Sequence, residues 1–327
     1  MLVILQIGDI KIENPVFLAP MAGITDLPYR CLIKEQGGCG LVYTEMVSAK
    51  GLVYGNQKTK ELLTIDDKER PVALQLFGNQ PEVLAEAAEI VVEEVDPELI
   101  DLNVGCPAPK IVNSGYGSAL MKDPQLLGRI VAAMNQAVPT PITVKIRAGW
   151  DRENLNAVQV AKIVESNGAA ALAVHGRTRE EFYRGQADWE IIKKVKDAIG
   201  IPVIGNGDIF SPQDAQEMIE ETNCDAIMIA RGAKGNPWIF NRVSKYLNSG
   251  ELVAPPKPEM KIETAINHLK KLVEYKGEYV GVREMRKHTA WYIKGLRNCT
   301  AIKDRANQAE DLDEMIAILV EYKAQFN

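Results

Sequence analysis

Eight short apolar runs, each followed by a loop and an amphipathic segment, constrain the fold of this chain more than any other feature of its sequence. They read VFLAP (16–20), LVYTEM (41–46), VALQLFG (72–78), LIDLNVG (99–105), ITVKIRAG (142–149), ALAVHGR (171–177), PVIGNGD (202–208) and AIMIARG (226–232). Near-continuous apolarity over so few residues is the pattern of parallel strands covered on both faces. Between the runs lie helical patterns. PEVLAEAAEIVVEEV puts Pro81 in a first turn, and SPQDAQEMIEET offers Ser211 as an N-cap followed by Pro212. Eight such units predict a closed (β/α)8 TIM barrel. The alternative, a doubly wound open sheet, is disfavoured because no GxGxxG follows the first run.

The repeat ends near residue 247. NSGELVAPPKPEM (248–260) carries three prolines, and beyond it KIETAINHLKKLVEYKG, VGVREMRKHTAWYIKGL and DLDEMIAILVEYKAQF read as helices with no strand between them. The expected organisation is a barrel domain over 1–247, a linker over 248–258 and a helical bundle over 259–327. A length of 327 residues with 46% hydrophobic content suits one large domain and one small one.

The N-terminal stretch is apolar but lacks a basic n-region and a cleavage site, so no signal peptide is expected, and no run nears the ~20 residues of a membrane helix. Five cysteines without a CxxC pair point to reduced thiols and a cytoplasmic location, and three histidines argue against a His-rich metal site. A net charge of −6 speaks against a broad nucleic-acid surface. The average hides a split. Residues 257–305 carry 12 Lys+Arg against 6 Asp+Glu, among them Arg283, Arg286, Lys287, Lys294 and Arg297. On one continuous helix Arg283, Lys287, Lys294 and Arg297 would share a side.

In a barrel of this kind chemistry sits at the C-terminal strand ends. Residues unusual for packed strand ends, most of them polar, gather there: Pro20-Met21-Ala22 after the first run, Gln75 on the third, Asn103 and Cys106 on the fourth, Lys145 and Arg147 on the fifth. His175 and Arg177 follow on the sixth, Asn206-Gly207-Asp208 on the seventh and Arg231-Gly232 on the eighth. One such group is an ordinary satisfied core polar residue; seven strands of eight sharing the trait is a site, because unpaired buried polar groups are costly. GNGD and ARG supply glycines and an arginine where this fold usually binds phosphate. With Lys145, Gln75 and His175 nearer the axis, a phosphorylated planar cofactor is expected. Flavin mononucleotide, its ring lying on Pro20-Met21-Ala22, and a sugar phosphate both satisfy this chemistry.

APMAGITDLPYR, NVGCPAPKIVNSGYGSALMKDP, VKIRAGW, VHGRTREEFYRG, VIGNGDI and ARGAKGNPWIF, in this order, resemble the tRNA-dihydrouridine synthases and among them the bacterial B-type subgroup. RKHTAWYIKG resembles that family's C-terminal region. The resemblance implies an FMN enzyme that reduces the C5–C6 bond of uridine in tRNA, with NADPH or NADH as reductant. It implies that Pro20, Met21, Ala22, Gln75, Lys145 and His175 hold the flavin ring. Asn206, Gly207, Asp208, Arg231 and Gly232 would take its ribityl and phosphate parts. Asn103 and Arg177 would face uracil, with tRNA gripped by the basic helices through Arg283, Arg286 and Lys287. Cys106 would be the acid that protonates C5, a task suited to a thiol of ordinary pKa near ~8.5 on a loop; Cys31, Cys39 and Cys224 fit structural thiols. The competing expectations are an FMN barrel acting on a free pyrimidine, like the dihydroorotate dehydrogenases, a phosphosugar isomerase or lyase, and a non-catalytic RNA-binding barrel.

Overall fold

The computed structural model describes residues 4–326, so the outermost residues of the expected domains, 1–3 and 327, lie outside the described residues. Eight parallel strands form the centre: β1 (Val16–Leu18), β2 (Leu41–Tyr43), β3 (Val72–Phe77), β4 (Leu99–Asn103), β5 (Ile142–Arg147), β6 (Ala171–His175), β7 (Val203–Asn206) and β8 (Ala226–Ile229). Each pairs with the next, and β8 returns to β1 through Met228 opposite Phe17, so the sheet closes into the expected barrel. All eight lie inside the apolar runs that announced them.

Strand alternation splits the core in two. Outward-facing residues such as Val16, Val42, Leu74, Leu102 and Val144 pack against the helices. Helix Pro81–Val95 meets them with Leu84, Ala87, Ala88 and Val91, the i, i+3, i+4, i+7 spacing of a core-facing stripe. Inward-facing Phe17, Leu41, Tyr43, Leu99 and Ile204 fill the barrel interior with the small residues Ala19, Ala73, Ala171, Ala173 and Ala226. The antiparallel hairpin of Leu5–Ile7 and Ile10–Ile12 covers the N-terminal end of the barrel, and its Ile7 and Ile12 complete the inner cluster. The floor is therefore apolar and closed, while the alanines leave room above it for long polar side chains.

The run LVYTEM does not stay in the sheet. After Tyr43 the chain turns, with the Thr44 hydroxyl donating to the Glu45 carbonyl at 2.8 Å and the Glu45 carboxylate accepting from the Gly23 N–H. Val47–Ser48 then rejoins the upper part of β3. Short helices Ala49–Val53 and Gln57–Lys60 and two 3-10 turns follow before β3 begins.

Past the irregular stretch 250–257 the described residues form four helices, Pro258–Lys276, Glu278–Tyr292, Cys299–Gln308 and Leu312–Lys323, where the sequence pattern gives three. The additional one, CTAIKDRANQ, buries only Ile302 and Ala306, a stripe too thin to stand out. A second expectation is corrected. The helix carrying Arg283 and Lys287 ends at Tyr292, where the Ile293 N–H bonds the Thr289 carbonyl, so Lys294 and Arg297 do not extend its basic side.

These helices seat directly on the barrel. The loop after β8 packs Gly235, at φ +63°, so closely on the Trp291–Tyr292 backbone that a Cβ would lie 2.4 Å from the Trp291 carbonyl carbon. Lys276 bridges Asp26 at 2.6 Å and Glu284 at 2.8 Å. At the centre of the junction the Tyr29 ring stacks on His268 at 5.2 Å, and His268 meets His288 at 4.5 Å. Both histidines are fully buried. Burial, with Lys276 and Lys287 nearby, pushes His268 down to about 3 and His288 well below the usual imidazole value. Both are neutral when folded, whereas the unfolded chain takes up a proton on each near pH 6.5. Below that pH the unfolded state binds more protons, so stability falls as pH falls. Each histidine contributes a slope approaching ~1.4 kcal/mol per pH unit. Thermal midpoints measured between pH 7 and pH 5 should drop, and a His288→Leu variant should drop less steeply.

Candidate active site

The upper ends of the strands enclose a cavity of about 460 Å³, within the range of small-ligand sites. It brings together Pro20, Met21, Ala22, Gln75, Asn103, Cys106, Lys145, His175, Asn206, Gly207, Asp208, Arg231 and Gly232 as wall residues. Of the expected barrel residues only Arg177 is not in the wall. Its guanidinium lies behind it, 1% exposed, bound to Asp208 at 2.6 Å and to the Arg184 carbonyl at 3.0 Å. Arg147, the strand-end arginine of β5, does line the wall.

Cys106 lies on the loop leaving β4, and that loop is held at three points. The Asn103 side-chain oxygen accepts from the Gly105 and Cys106 N–H groups at 3.2 and 2.9 Å, a local turn of the kind Asn favours. Ser118 donates its hydroxyl to the Cys106 carbonyl at 2.9 Å, and Arg147 Nε donates to the Gly105 carbonyl at 2.7 Å. Burial raises the thiol above its ordinary pKa, so it is protonated at neutral pH. Cys31, Cys39 and Cys224 are buried in the outer shell, where desolvation pushes Cys31 up to about 11 and Cys39 up to about 12. They are packing residues.

Lys145 rises from β5 and donates to the Asn206 side-chain oxygen at 3.0 Å. Burial, together with Arg147, lowers it to about 8. His175 is buried and surrounded by Arg147, Lys145, Arg177 and Arg231, and burial with these charges keeps its imidazole neutral. It therefore has one N–H to donate and one nitrogen to accept.

At the other end of the cavity Asp208 links Arg231 and Arg177 and accepts from the Ala187 N–H at 2.8 Å. The Arg231 guanidinium sits 5.4 Å from the Tyr183 ring and 5.5 Å from Phe210. The loops after β7 and β8 lie so close that a Cβ on Gly232 would stand 2.2 Å from the Ile209 carbonyl oxygen. Only glycine fits there, and the bare backbone beside an arginine makes a cradle of the kind that takes a phosphate. The apolar bed of Pro20-Met21-Ala22, the cationic and amide groups of Lys145 and Gln75, and this cradle fit a phosphorylated planar cofactor.

Sequence reasoning missed three features of the wall or its support. Asp101 on β4 lies fully buried beneath Gln75; the signal was a carboxylate inside the run LIDLNVG. Tyr183 and Phe210 also line the cavity; the signal was their place, Tyr183 inside VHGRTREEFYRG and Phe210 directly after VIGNGDI. In the C-terminal helices Arg286 donates to the Ala309 carbonyl at 2.7 Å, while Arg283 lies over the Tyr279 ring at 3.5 Å. Lys287 is 37% exposed, beside Glu284 at 3.7 Å. Among the described residues no cluster has the His, Cys, Asp or Glu ligands for a metal ion, and no helix is long and apolar enough to cross a membrane.

Two solved structures share the barrel. One is 6-hydroxypseudooxynicotine amine oxidase from Pseudomonas geniculata N1, with a TM-score of 0.59 at 15% identity over 75% of this chain and 49% of that one. The other is a 2-naphthoyl-CoA reductase, with a TM-score of 0.58 at 12% identity over 75% of this chain and 52% of that one. At such identities the likeness concerns the fold alone. Curated relatives reach much further. The tRNA-dihydrouridine synthase B of Pseudomonas aeruginosa is 42% identical over 98% of this chain and 96% of its own. That of Xanthomonas axonopodis pv. citri is 42% identical over 97% and 95%, and a probable tRNA-dihydrouridine synthase of Rickettsia bellii 42% over 94% of each. The family model described as dihydrouridine synthase matches residues 17–327, nearly the whole barrel and all the C-terminal helices, and the chain belongs to that family.

Proposed function

We propose that this dihydrouridine synthase reduces the C5–C6 double bond of uridines in tRNA, with flavin mononucleotide as its cofactor and NADPH or NADH as the reductant. The observation that carries the reading is the cavity in which the Cys106 thiol, the Lys145 and Gln75 edge and the Arg231–Gly232 cradle line one space. Flavin mononucleotide, when bound, supplies the hydride that reaches uracil C6. Pro20, Met21 and Ala22 bed its ring, Gln75, Lys145 and His175 serve the polar edge, and a positive Lys145 favours the reduced ring. Asn206, Gly207 and Asp208, with Arg231 and Gly232, hold the ribityl chain and phosphate. Cys106 keeps a proton on Sγ and delivers it to C5 as charge develops on the pyrimidine. Asn103 faces the uracil ring. Arg177 acts from behind the wall by holding Asp208, so it is a positioning residue rather than a contact.

The C-terminal helices, as a domain over 259–327, grip the RNA while one base is splayed into the barrel mouth. Arg283 and Lys287 carry this role. Arg286 contributes by securing the end of the neighbouring helix through Ala309. Reversing charge at Arg283 and Lys287 together should weaken tRNA binding. The slope of log affinity against log salt should fall by about 1 for each phosphate that the protein no longer neutralises. An unchanged slope in filter binding at several salt concentrations moves the grip elsewhere.

The deciding experiment is the absorbance spectrum of the purified protein followed by NADPH oxidation with unmodified tRNA. A flavin spectrum and tRNA-dependent oxidation support the reading. A flavin spectrum with turnover of free pyrimidine and no response to tRNA overturns it in favour of a small-molecule dehydrogenase.

A further inference from the structure

Among the described residues Asp101 is the one carboxylate whose side chain is fully buried inside the barrel, and it pairs with no arginine there. It sits in register between Gln75 on β3 and Thr143 on β5. Its Oδ2 accepts from Gln75 Nε2 and its Oδ1 from the Thr143 hydroxyl, both at 2.7 Å. The chain of bonds continues upward. Gln75 Oε1 accepts from Asn103 Nδ2 at 2.7 Å, and Asn103 Oδ1 accepts from the N–H groups of Gly105 and Cys106. Both ends of this relay have a fixed sense. A carboxylate only accepts and a backbone N–H only donates, so the two amides between them have one orientation each.

That orientation matters because each amide nitrogen carries a second N–H. Gln75 commits one to Asp101. Asn103 commits one to Gln75, and the nearest partner of its nitrogen otherwise is the Met46 sulfur at 3.7 Å. Both side chains line the cavity. Within the relay each amide oxygen is already engaged, and each nitrogen keeps one N–H beyond it to offer to the cavity. Reducing a double bond conjugated to a carbonyl throws negative charge onto the carbonyl oxygen, which a donor stabilises and a second carbonyl repels. Burying a carboxylate is costly, and an apolar residue would fill the layer without that penalty.

We propose that Asp101 is a positioning residue: by accepting from Gln75 it holds the Gln75 amide in the sense that matches Asn103, itself oriented by the Gly105 and Cys106 N–H groups, so that both keep an N–H for the ring systems reacting above them. The inference rests on the flavin and uridine reading of the cavity.

Asp101→Asn is the test, because an asparagine can itself donate to Gln75 and let that amide turn over. In the flavin-loaded variant the midpoint potential of the flavin should become more negative, and kcat with tRNA should fall roughly 10²-fold, the scale of one lost donor, with KM for tRNA little changed. Thr143→Val removes the other bond to the same carboxylate and leaves the Gln75 side intact. It should match the wild type in potential and stay within a few-fold in kcat. A merely structural role predicts the reverse: both variants lose thermal stability alike and neither shifts the potential. If Asp101→Asn does not fold, Gln75→Met and Gln75→Met/Thr143→Val serve instead. The first should reproduce the shift in potential and the second should add nothing to it; an unshifted potential in Gln75→Met overturns the proposal. A wild-type protein without flavin or tRNA turnover fails the functional reading. A wild type with both and an Asp101→Asn variant equal to it fails this inference alone.

Discussion

Cys106→Ala protein is expected to keep its flavin and to oxidise NADPH nearly as the wild type does, while dihydrouridine formation in tRNA falls by roughly 10²–10⁴-fold, the usual contribution of a positioned acid. The separation of the two effects follows from how the loop is built. Asn103, Ser118 and Arg147 hold it through backbone groups of Gly105 and Cys106, none of which the substitution removes. What disappears is Sγ and its proton. Cys106→Ser should recover little, because a hydroxyl is a far weaker acid than a thiol. Cys224→Ala, in contrast, should lower the thermal midpoint and leave the chemistry alone, since Cys224 is buried in the outer shell. Full tRNA turnover by Cys106→Ala, assayed by the loss of uridine in the product, would sink the assignment.

The second large effect is on stability. Arg30 and Glu69 form an ion pair whose side chains are 3% and 0% exposed. The pair is bidentate, with Arg30 Nη2 2.9 Å from Glu69 Oε1, and the guanidinium also donates to the Thr25 and Thr64 carbonyls at 2.8 and 2.9 Å. Arg30→Met would leave the Glu69 carboxylate buried with no counter-charge, which costs about 3–5 kcal/mol. The double replacement Arg30→Met/Glu69→Met should regain part of that, because no charge is then left buried, although the Thr25 and Thr64 carbonyls and the Asp66 N–H still lose their partners. The effect reaches the cavity. Thr25 holds the Met21 N–H through its hydroxyl at 3.0 Å, so the single variant should also bind flavin less tightly. Urea midpoints for the three proteins check the ordering. A loss below about 1 kcal/mol in Arg30→Met would mean that water reaches Glu69.

The barrel was legible because a strand buried on both faces cannot hide its apolarity: every run from VFLAP to AIMIARG contains its strand. Where such runs carried Gln75, Lys145 or His175, the cost of burying polar groups marked the site as well. The sequence lost legibility where a residue's partner lies far along the chain. Arg177 reads as a site residue by position, yet its charge is taken by Asp208, 31 residues on. Asp101 reads as one polar residue among apolar ones until Gln75 and Thr143 are placed beside it by the closure of the sheet. Cys299–Gln308 was silent because two buried side chains make too thin a stripe, and the basic side of Glu278–Tyr292 looked longer than it is because the basic spacing runs past the stop at Gly295, which takes φ +82° in the turn after Tyr292.

The hairpin under the barrel has a kinetic consequence. With Ile7 and Ile12 packed into the inner cluster at the lower end, the cavity opens among the described residues at the upper strand ends, and whatever docks there stands above whatever lies deeper. On the proposed function a nicotinamide dinucleotide and a folded RNA would both use that opening, so the two half-reactions are expected to alternate, the first visitor leaving before the next arrives. Initial rates with both varied should then give parallel double-reciprocal lines, and excess tRNA should slow the enzyme by occupying the entrance before the reductant has called.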